Sequence, residues 1–180
     1  MEGVSRAYNS GKEKNNYILE TSMHSVFIDG YNLIWSNFYW TRRADYGLSE
    51  EELKNAGVEN ERVQIDESLV DSLKAADQEL QKHGFRLYVK EGYRSPELYN
   101  LIYQKRTAKY GAENVNKILN MEDKPHATGK AVDIGLLDKE TLVEVPTRKR
   151  EDGPESLLCD FYRNKDDAES KLYQARQDLL

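Results

Sequence analysis

The sequence has few cysteines and histidines and no long hydrophobic run. Its single cysteine, Cys159, excludes an internal disulfide. No apolar run approaches the roughly 20 residues that a membrane-spanning helix needs. The N-terminal residues 1–20 also lack the apolar segment of a signal peptide. We therefore expect a soluble protein that does not act in a membrane, and the missing export signal favours the cytoplasm.

Positive charge is scarce as well. The chain has 26 Lys and Arg residues against 32 Asp and Glu residues, which gives a formal net charge of −6. The basic run at Thr147–Arg150 is short and is followed by acidic residues. These features argue against nucleic acid as the main partner. Hydrophobic residues still make up 38% of the 180 residues, which is enough for one domain with a real core.

The middle of the chain carries the clearest helix and strand signals. Residues 67–82 predict a helix that Asp66 caps and that ends before Gly84. The apolar stripe of this helix consists of Leu69, Leu73, Ala76 and Leu80. Residues 85–90 alternate between apolar and polar side chains, as a strand does. A second helix follows, with Ser95 as its N-cap.

The flanking regions are less regular. Residues 1–20 predict a mobile tail, and residues 26–28 predict a short strand. An aromatic stretch follows, which serves either core packing or peptide binding, and its members are Tyr31, Trp35, Phe38, Tyr39 and Trp40. Residues 131–134 and 142–145 predict two paired strands. The last helix is expected from about residue 166 onward, with an apolar face of Ala168, Leu172, Ala175 and Leu179.

These elements together predict an α+β fold. Residues 21–180 are expected to form one domain in which helices pack on a small antiparallel sheet. No internal repeat and no domain boundary interrupts this region. We expect the functional site at a face of the sheet.

Residues 124–135, K-P-H-A-T-G-K-A-V-D-I-G, contain two side chains that suit a divalent metal. His126 and Asp133 stand seven residues apart, and Gly129 between them lets the chain turn back sharply. In a strand over 131–134, Asp133 and the small Ala131 share one face, which leaves room for an ion. The spacing alone is equally compatible with a hairpin that carries a surface histidine.

This segment resembles the S-x-H-x-x-G-x-A-x-D signature of the zinc D-alanyl-D-alanine dipeptidases and carboxypeptidases. Four of the five positions match in register: His126, Gly129, Ala131 and Asp133. Lys124 stands where the signature has serine. The resemblance implies that His126 and Asp133 bind one zinc ion, with ligand atoms within about 4 Å of each other. It also implies that the partner is D-Ala-D-Ala or a muropeptide-like small substrate.

A second segment, Glu91–Pro96, resembles the G-Y-R-S or G-Y-R-P segment of the same family. The arginine of that segment binds the substrate carbonyl or carboxylate in the family and stabilises the charged transition state. The resemblance therefore implies this catalytic role for Arg94. A planar guanidinium that stays charged is well suited to hold an oxyanion with two parallel hydrogen bonds. We expect Arg94 to point from the end of the 85–90 strand into the cleft that contains His126.

The sequence lacks part of the site that this family has. A catalytic zinc usually has three protein ligands and one open position. In the family the third ligand is a histidine that follows a general-base glutamate in an E-x-x-H segment. No histidine follows His126 in these 180 residues. His24 or His83 would complete the site only in an unusual arrangement, and the later glutamates lack such a histidine partner: Glu144, Glu155 and Glu169.

Two interpretations of the function remain open. The first is zinc-dependent hydrolysis of D-Ala-D-Ala or a related cell-wall peptide, with a dipeptidase favoured over a carboxypeptidase. The second is a truncated or degenerate relative that keeps the fold and binds peptide without turnover. With two zinc ligands, this chain is expected to bind zinc weakly and to be essentially inactive. The missing segment also predicts an uncovered sheet edge or apolar face, and hence low stability or association with another copy.

Overall fold

The computed structural model describes residues 24–149, 151–152, 156 and 160–180, so the predicted tail and Cys159 lie outside the described residues. The strands are β1 (Ser25–Phe27), β2 (Ile34–Trp35), β3 (Gln64–Asp66), β4 (Phe85–Glu91), β5 (Asp133–Asp138) and β6 (Glu144–Val145). The α-helices are α1 (Phe38–Thr41), α2 (Glu50–Asn55), α3 (Val70–Lys82), α4 (Pro96–Tyr110), α5 (Ala112–Asn116) and α6 (Ala168–Gln177). This mixture confirms the predicted α+β class. None of the helices in the described part combines the length and the apolar character needed to cross a lipid bilayer.

A four-stranded sheet in the order β2-β4-β5-β6 is the centre of the fold. The pairs β4–β5 and β5–β6 are antiparallel. The sheet is mixed rather than purely antiparallel, because β2 runs parallel to β4. The strands β1 and β3 form a separate antiparallel pair. The longest ladder joins β4 and β5. Because the two strands are antiparallel, the last residue of β4 lies beside the first residue of β5.

Helix α3 packs against β4 and the rest of the sheet. It is preceded by a short 3-10 turn at Glu67–Leu69, where the Asp66 carboxylate accepts a hydrogen bond from the Ser68 amide. The core between α3 and the sheet includes Val70, Leu73, Leu80, Leu87, Val89 and Leu136. The predicted apolar stripe is wrong at Ala76, which is exposed. Asp77 takes the buried position instead, because it hydrogen-bonds to the first residues of β4.

Helix α4 begins where the sequence predicts. The Ser95 hydroxyl accepts a hydrogen bond of 3.0 Å from the Leu98 amide, and Pro96 is the first helical residue. Its buried face belongs to a second apolar cluster that includes Tyr39, Leu53, Leu98, Tyr99, Ile102 and Val115. The aromatic residues of the first third pack against the two clusters: Tyr31 and Trp35 on the first, and Phe38 and Trp40, with the buried Tyr39, on the second. These contacts favour the interpretation of the aromatic stretch as core packing.

The strands β5 and β6 are shorter at their starts than predicted. β5 begins two residues late, at Asp133, because its partner strand β4 ends at Glu91, which pairs with Asp133. β6 contains only Glu144–Val145. The turn before it is closed by the Asp138 side chain, which accepts hydrogen bonds from two turn amides. Leu142 has a φ of 55°, in the left-handed region, so the strand starts only after it.

The buried face of α6 differs from the predicted one. Of the four predicted residues, Leu172 is 47% exposed and Ala168 and Ala175 are exposed as well, whereas Leu179, just beyond the helix, is half-buried and packs against the first apolar cluster. The residues that α6 buries are Ser170, Tyr173 and Gln174. The Tyr173 ring packs on the Tyr162 ring with 5.2 Å between their centroids. A tyrosine ring buries more apolar surface than an alanine, and this contact sets the orientation of the helix.

Candidate metal centre

The paired ends of β4 and β5 bring two carboxylates together. Glu91 ends β4 and Asp133 begins β5, and the two residues are partners in the antiparallel ladder. The register shifts between Val89 and Glu91, so the pairing is irregular at this point. Such irregularities redirect side chains at the edge of a sheet. Here the irregularity lies beside the acidic pair.

Gly92 allows the chain to leave β4 in close contact with β3. A Cβ atom at this position would overlap the Gln64 carbonyl oxygen and would lie 2.5 Å from Ile65 Cγ2. The next residue, Tyr93, donates its amide to the same Gln64 carbonyl at 2.6 Å. The backbone at residues 92 and 93 is thereby fixed between β3 and the site. Arg94 follows directly from this fixed segment.

The loop that carries His126 is anchored by hydrogen bonds on both sides. His126 lies in a 3-10 turn, Pro125–Thr128, which begins after Lys124 in a left-handed conformation and ends at Gly129. The His126 carbonyl accepts a hydrogen bond of 3.1 Å from the Arg94 amide. The His126 amide donates to the Tyr99 hydroxyl at 2.9 Å. His126 is therefore held from two sides: by the loop after β4, through Arg94, and by helix α4, through Tyr99.

His126 is oriented with one ring nitrogen toward Asp133. The distance from His126 Nε2 to Asp133 Oδ1 is 3.6 Å, which confirms the predicted proximity of about 4 Å or less. The other nitrogen, Nδ1, lies 2.9 Å from the Gly92 carbonyl oxygen. A carbonyl can only accept a hydrogen bond, which assigns the proton to Nδ1 and leaves the Nε2 lone pair free for a ligand. Burial lowers the pKa of the His126 imidazole, against the opposing effect of Asp133, and this favours the neutral form that binds metals.

Glu91 is the third member of the group, and it is not among the metal ligands predicted from the sequence. One ligand atom each from Glu91, His126 and Asp133 lies within 4.8 Å of the others. Two ligand atoms in one tetrahedral zinc site are about 3.3 Å apart, so the His126–Asp133 spacing fits this donor set. The group could hold a metal ion. The expectation of weak zinc binding was based on two ligands, and it no longer follows once Glu91 is included.

Glu91 is a buried carboxyl group that lies between an arginine and a second carboxylate. Its side chain is fully buried, and both carboxylate oxygens accept hydrogen bonds from Arg94, with 2.8 Å between Arg94 Nε and Oε1. Burial raises the pKa of the Glu91 carboxyl, Arg94 opposes this, and the nearby Asp133 carboxylate adds to the rise. Two close carboxylates repel each other when both are ionised, and a divalent cation between them relieves that repulsion.

Arg94, which the sequence predicts to point into the cleft that contains His126, lies beside the carboxylates of Glu91 and Asp133. Its Nη2 atom is 3.7 Å from Asp133 Oδ2, and the side chain is almost completely buried. The guanidinium also lies over two tyrosine rings, with its Cζ 4.6 Å from the Tyr99 centroid and 5.4 Å from the Tyr39 centroid. Such cation–π contacts hold a guanidinium in place. Arg94 is therefore a fixed positive charge at the edge of the group.

The other residues considered as site members lie elsewhere. His24 is exposed, and His83 lies at the end of α3 with Nε2 3.8 Å from Glu79. Glu144 forms an ion pair with Lys90, and Glu169 forms one with Lys149. Glu155 lies outside the described residues. Neither histidine joins the group of Glu91, His126 and Asp133.

A cavity of about 830 Å³ lies beside Lys90 and Glu144, and its lining residues do not include Glu91, Arg94, His126 or Asp133. It lies on the face of the sheet that carries Asp133, because Glu144 pairs with Leu137 and side chains two residues apart in β5 share a face. Asp133 and Gly135 share this face, because side chains two residues apart in a strand point the same way. A Cβ on Gly135 would lie 2.6 Å from Lys90 Cε, so the Lys90 side chain covers that face. The cavity lining includes Arg42, Lys90, Glu144, Arg148, Lys149 and Glu169. A volume of this size holds a small ligand or peptide.

No protein-family model matches the chain, and a search of curated proteins finds no significant match. The likeness to the zinc D-alanyl-D-alanine peptidases therefore depends on two short segments, Glu91–Pro96 and 124–135. Both segments contribute residues to one group of side chains in the fold. Membership of that family remains a prediction.

Proposed function

We propose that the protein is a zinc-dependent hydrolase of D-alanyl-D-alanine or a related cell-wall peptide, with dipeptidase activity favoured. The observation that carries this proposal is the convergence of Glu91, His126 and Asp133, with ligand atoms within 4.8 Å of one another. Arg94 lies against the same carboxylates. A metal site next to a fixed cation suits the hydrolysis of an amide that carries a nearby carboxylate.

Each protein ligand has a distinct task in this proposal. His126 offers Nε2 in a fixed orientation, because Nδ1 is bound to the Gly92 carbonyl. Asp133 offers a half-exposed carboxylate, with 44% of its side chain accessible, so it can be reached from solvent. Glu91 can offer a third oxygen while it holds Arg94, since each carboxylate oxygen has two lone pairs. A bound zinc ion would lower the pKa of a water ligand and polarise the scissile carbonyl.

Arg94 binds the substrate in this proposal. Glu91 fixes the guanidinium through Nε and Nη2, and the Tyr39 and Tyr99 rings restrict its movement. A preorganised cation stabilises charge that develops on the carbonyl oxygen without the cost of reorientation. A substrate carboxylate would compete with Asp133 for the same guanidinium edge. Arg94 is thus assigned to the oxyanion or to the substrate carboxylate.

A second candidate function is peptide binding without turnover. It is favoured by one specific observation: these 180 residues contain no E-x-x-H segment, which supplies the general base in the resembled family. Such a protein would keep the Glu91–His126–Asp133 group and the separate cavity beside Lys90 and Glu144, without a general-base glutamate supplied by that segment. General acid–base help is typically worth about 10²–10⁴-fold in rate, so the two functions differ by a measurable amount.

Metal analysis and product release test the proposal together. The chain is loaded with zinc, dialysed, assayed for bound zinc, and then incubated with D-Ala-D-Ala while free D-alanine is measured. We expect about one zinc per chain in the wild type, and we expect His126→Ala and Asp133→Asn to weaken zinc binding by roughly 100-fold or more. His83→Ala is the matched control, because His83 is exposed and lies outside the group.

The outcomes separate the two candidates. Stoichiometric zinc together with D-alanine release supports the hydrolase. Stoichiometric zinc without release supports the peptide-binding function. Zinc binding that is absent, or that is equal in the wild type and in His126→Ala, overturns the metal site itself.

A further inference from the structure

We infer that Tyr99 is a positioning residue that links the metal-binding loop to Arg94 through two different parts of one side chain. Its hydroxyl holds the backbone of His126, and its ring faces the guanidinium of Arg94. The inference rests on the proposed function for its catalytic meaning, but the link itself is a property of the fold. Tyr99 is not among the site residues predicted from the sequence.

The first part of the link is the hydroxyl. Tyr99 lies in the first turn of α4, where its amide donates to the Ser95 carbonyl at 3.0 Å. The side chain is 1% exposed, and its oxygen accepts the His126 amide at 2.9 Å. This hydrogen bond is not local, since it joins residues 27 positions apart. The start of α4 therefore anchors the backbone from which the His126 ring projects.

The second part of the link is the aromatic ring. Arg94 Cζ lies 4.6 Å from the Tyr99 ring centroid, closer than to the Tyr39 ring at 5.4 Å. The two rings and the Glu91 carboxylate together confine the guanidinium. Tyr39 differs from Tyr99 in its hydroxyl contact, because Tyr39 Oη accepts a hydrogen bond of 3.2 Å from Arg106 rather than from the His126 loop. Tyr39 is therefore a useful comparison, because its ring also contacts Arg94 while its hydroxyl does not contact the His126 loop.

The loop needs such an anchor because its own conformation is constrained. Lys124, immediately before the turn, has a φ of 46°, which a side chain other than glycine rarely adopts. The loop keeps this backbone while it also bonds to Arg94 N and to the Gly92 carbonyl. Loss of the Tyr99 hydroxyl would remove one of these anchors. The loop could then move relative to Asp133, and the His126–Asp133 spacing would be less well defined.

The two parts of the side chain predict two separable effects. Tyr99→Phe keeps the ring and removes the hydroxyl, so it should weaken zinc affinity by about 3- to 10-fold, the scale of one lost hydrogen bond. At saturating zinc any change in its kcat should be smaller than the change in Tyr99→Leu. Tyr99→Leu removes the ring as well, so its kcat at saturating zinc should fall by about 10-fold, on the scale of one cation–π contact.

Matched controls distinguish this role from a general loss of packing. Tyr103→Phe removes the hydroxyl of another α4 tyrosine, one that packs on the second apolar cluster, and it should change neither zinc affinity nor kcat. Tyr39→Phe removes the hydroxyl that bonds Arg106 and keeps the ring on Arg94, so zinc affinity should again be unchanged. Thermal unfolding of each variant shows whether it folds. A zinc affinity that falls equally in Tyr39→Phe and Tyr99→Phe would overturn the assignment.

A measurement without metal keeps the inference independent of the proposed function. Amide hydrogen exchange at His126 in the metal-free protein should become about 10-fold faster in Tyr99→Phe, because the amide loses its acceptor, while exchange in α3 stays the same. Unchanged exchange at His126 would overturn the link, whatever the activity. Faster exchange in a protein that binds no zinc would keep the link and reject the metal proposal.

Discussion

The two ends of β4 each carry a buried pair of an acid and an arginine, and only one end has the features of a site. At the start of the strand, Arg86 contacts Asp77 of α3, with 2.9 Å between Nε and Oδ1. At the other end, Glu91 contacts Arg94, and the pair is even more buried. Burial and charge pairing are therefore common to both ends.

The difference lies in what else surrounds the carboxylate. Both carboxylate oxygens of Asp77 have partners within the fold. They accept hydrogen bonds from Arg86, from the Leu87 amide and from the Gln81 side chain. Glu91 instead faces a second carboxylate, Asp133, and lies next to a ring nitrogen with a free lone pair. An ion pair whose carboxylate has only hydrogen-bond donors around it stabilises the fold. An ion pair whose carboxylate also faces a second carboxylate can take up a cation. The surroundings of a buried ion pair, rather than the pair itself, thus indicate function.

The largest expected effect is on stability, at the start of β4. Asp77→Ala leaves Arg86 and the Leu87 amide without their acceptor, so we expect the free energy of unfolding to fall by about 3–5 kcal/mol. Urea unfolding measures this loss. Zinc affinity, measured under conditions where the variant is folded, should equal that of the wild type. A loss below about 1 kcal/mol, or a parallel loss of zinc, would show that the two ends of β4 are not distinct.

The next effect is on activity, at the end of β4. Arg94→Ala should lower kcat by roughly 100-fold or more, the scale of one lost oxyanion donor. Steady-state kinetics on zinc-loaded protein measure it. Arg94→Lys is the matched comparison, because it keeps the charge but loses the fork that contacts Glu91 through two nitrogens. An unchanged kcat in Arg94→Ala would remove this residue from the mechanism.

Much of the architecture around β4 could be predicted because its signals are local. Ser95 caps α4 as predicted, and the alternation of residues 85–90 marks the strand. Asp66 caps the 3-10 turn at Glu67–Leu69, and the α-helix itself starts three residues later than predicted, at Val70. The proximity of His126 and Asp133 could be predicted for a similar reason, since both lie in one short segment with a glycine between them. All of these features depend on residues that are close together in the sequence.

The features that were missed depend on distant parts of the chain. Glu91 joins the group only because β4 and β5 pair with a register that places it opposite Asp133. The orientation of α6 depends on the contact between Tyr173 and Tyr162, which no periodicity shows. The parallel pairing of β2 with β4 likewise joins segments about 50 residues apart. Such pairings are properties of the folded chain and leave little trace in the sequence around each residue.

A smaller stability effect distinguishes the two glycines that flank β4. Gly92→Ala should cost about 1–3 kcal/mol, because the new Cβ would overlap the Gln64 carbonyl and press on Ile65. Gly84→Ala at the other end should cost about 1 kcal/mol, because only its φ of 81° opposes the substitution and no atom lies within 4 Å of a new Cβ. Urea unfolding compares the two. A larger cost at Gly84 would contradict the close packing assigned to the site end.

The smallest effect is expected from the third acid–base pair on β4, between Lys90 and Glu144. This pair bridges β4 and β6 on the face that carries Asp133, but 47% of the Glu144 side chain is exposed. Exposed ion pairs typically contribute about 0–1 kcal/mol, so Glu144→Gln should change the free energy of unfolding by less than about 1 kcal/mol. The same variant tests whether Glu144 is a metal ligand. We expect that it is not, because it is paired with Lys90 and is not a member of the Glu91–His126–Asp133 group. Zinc stoichiometry and affinity should match those of the wild type, while Glu91→Gln should weaken zinc binding at least 10-fold. If Glu144→Gln lost zinc and Glu91→Gln retained it, the third ligand would come from β6 instead of from the end of β4.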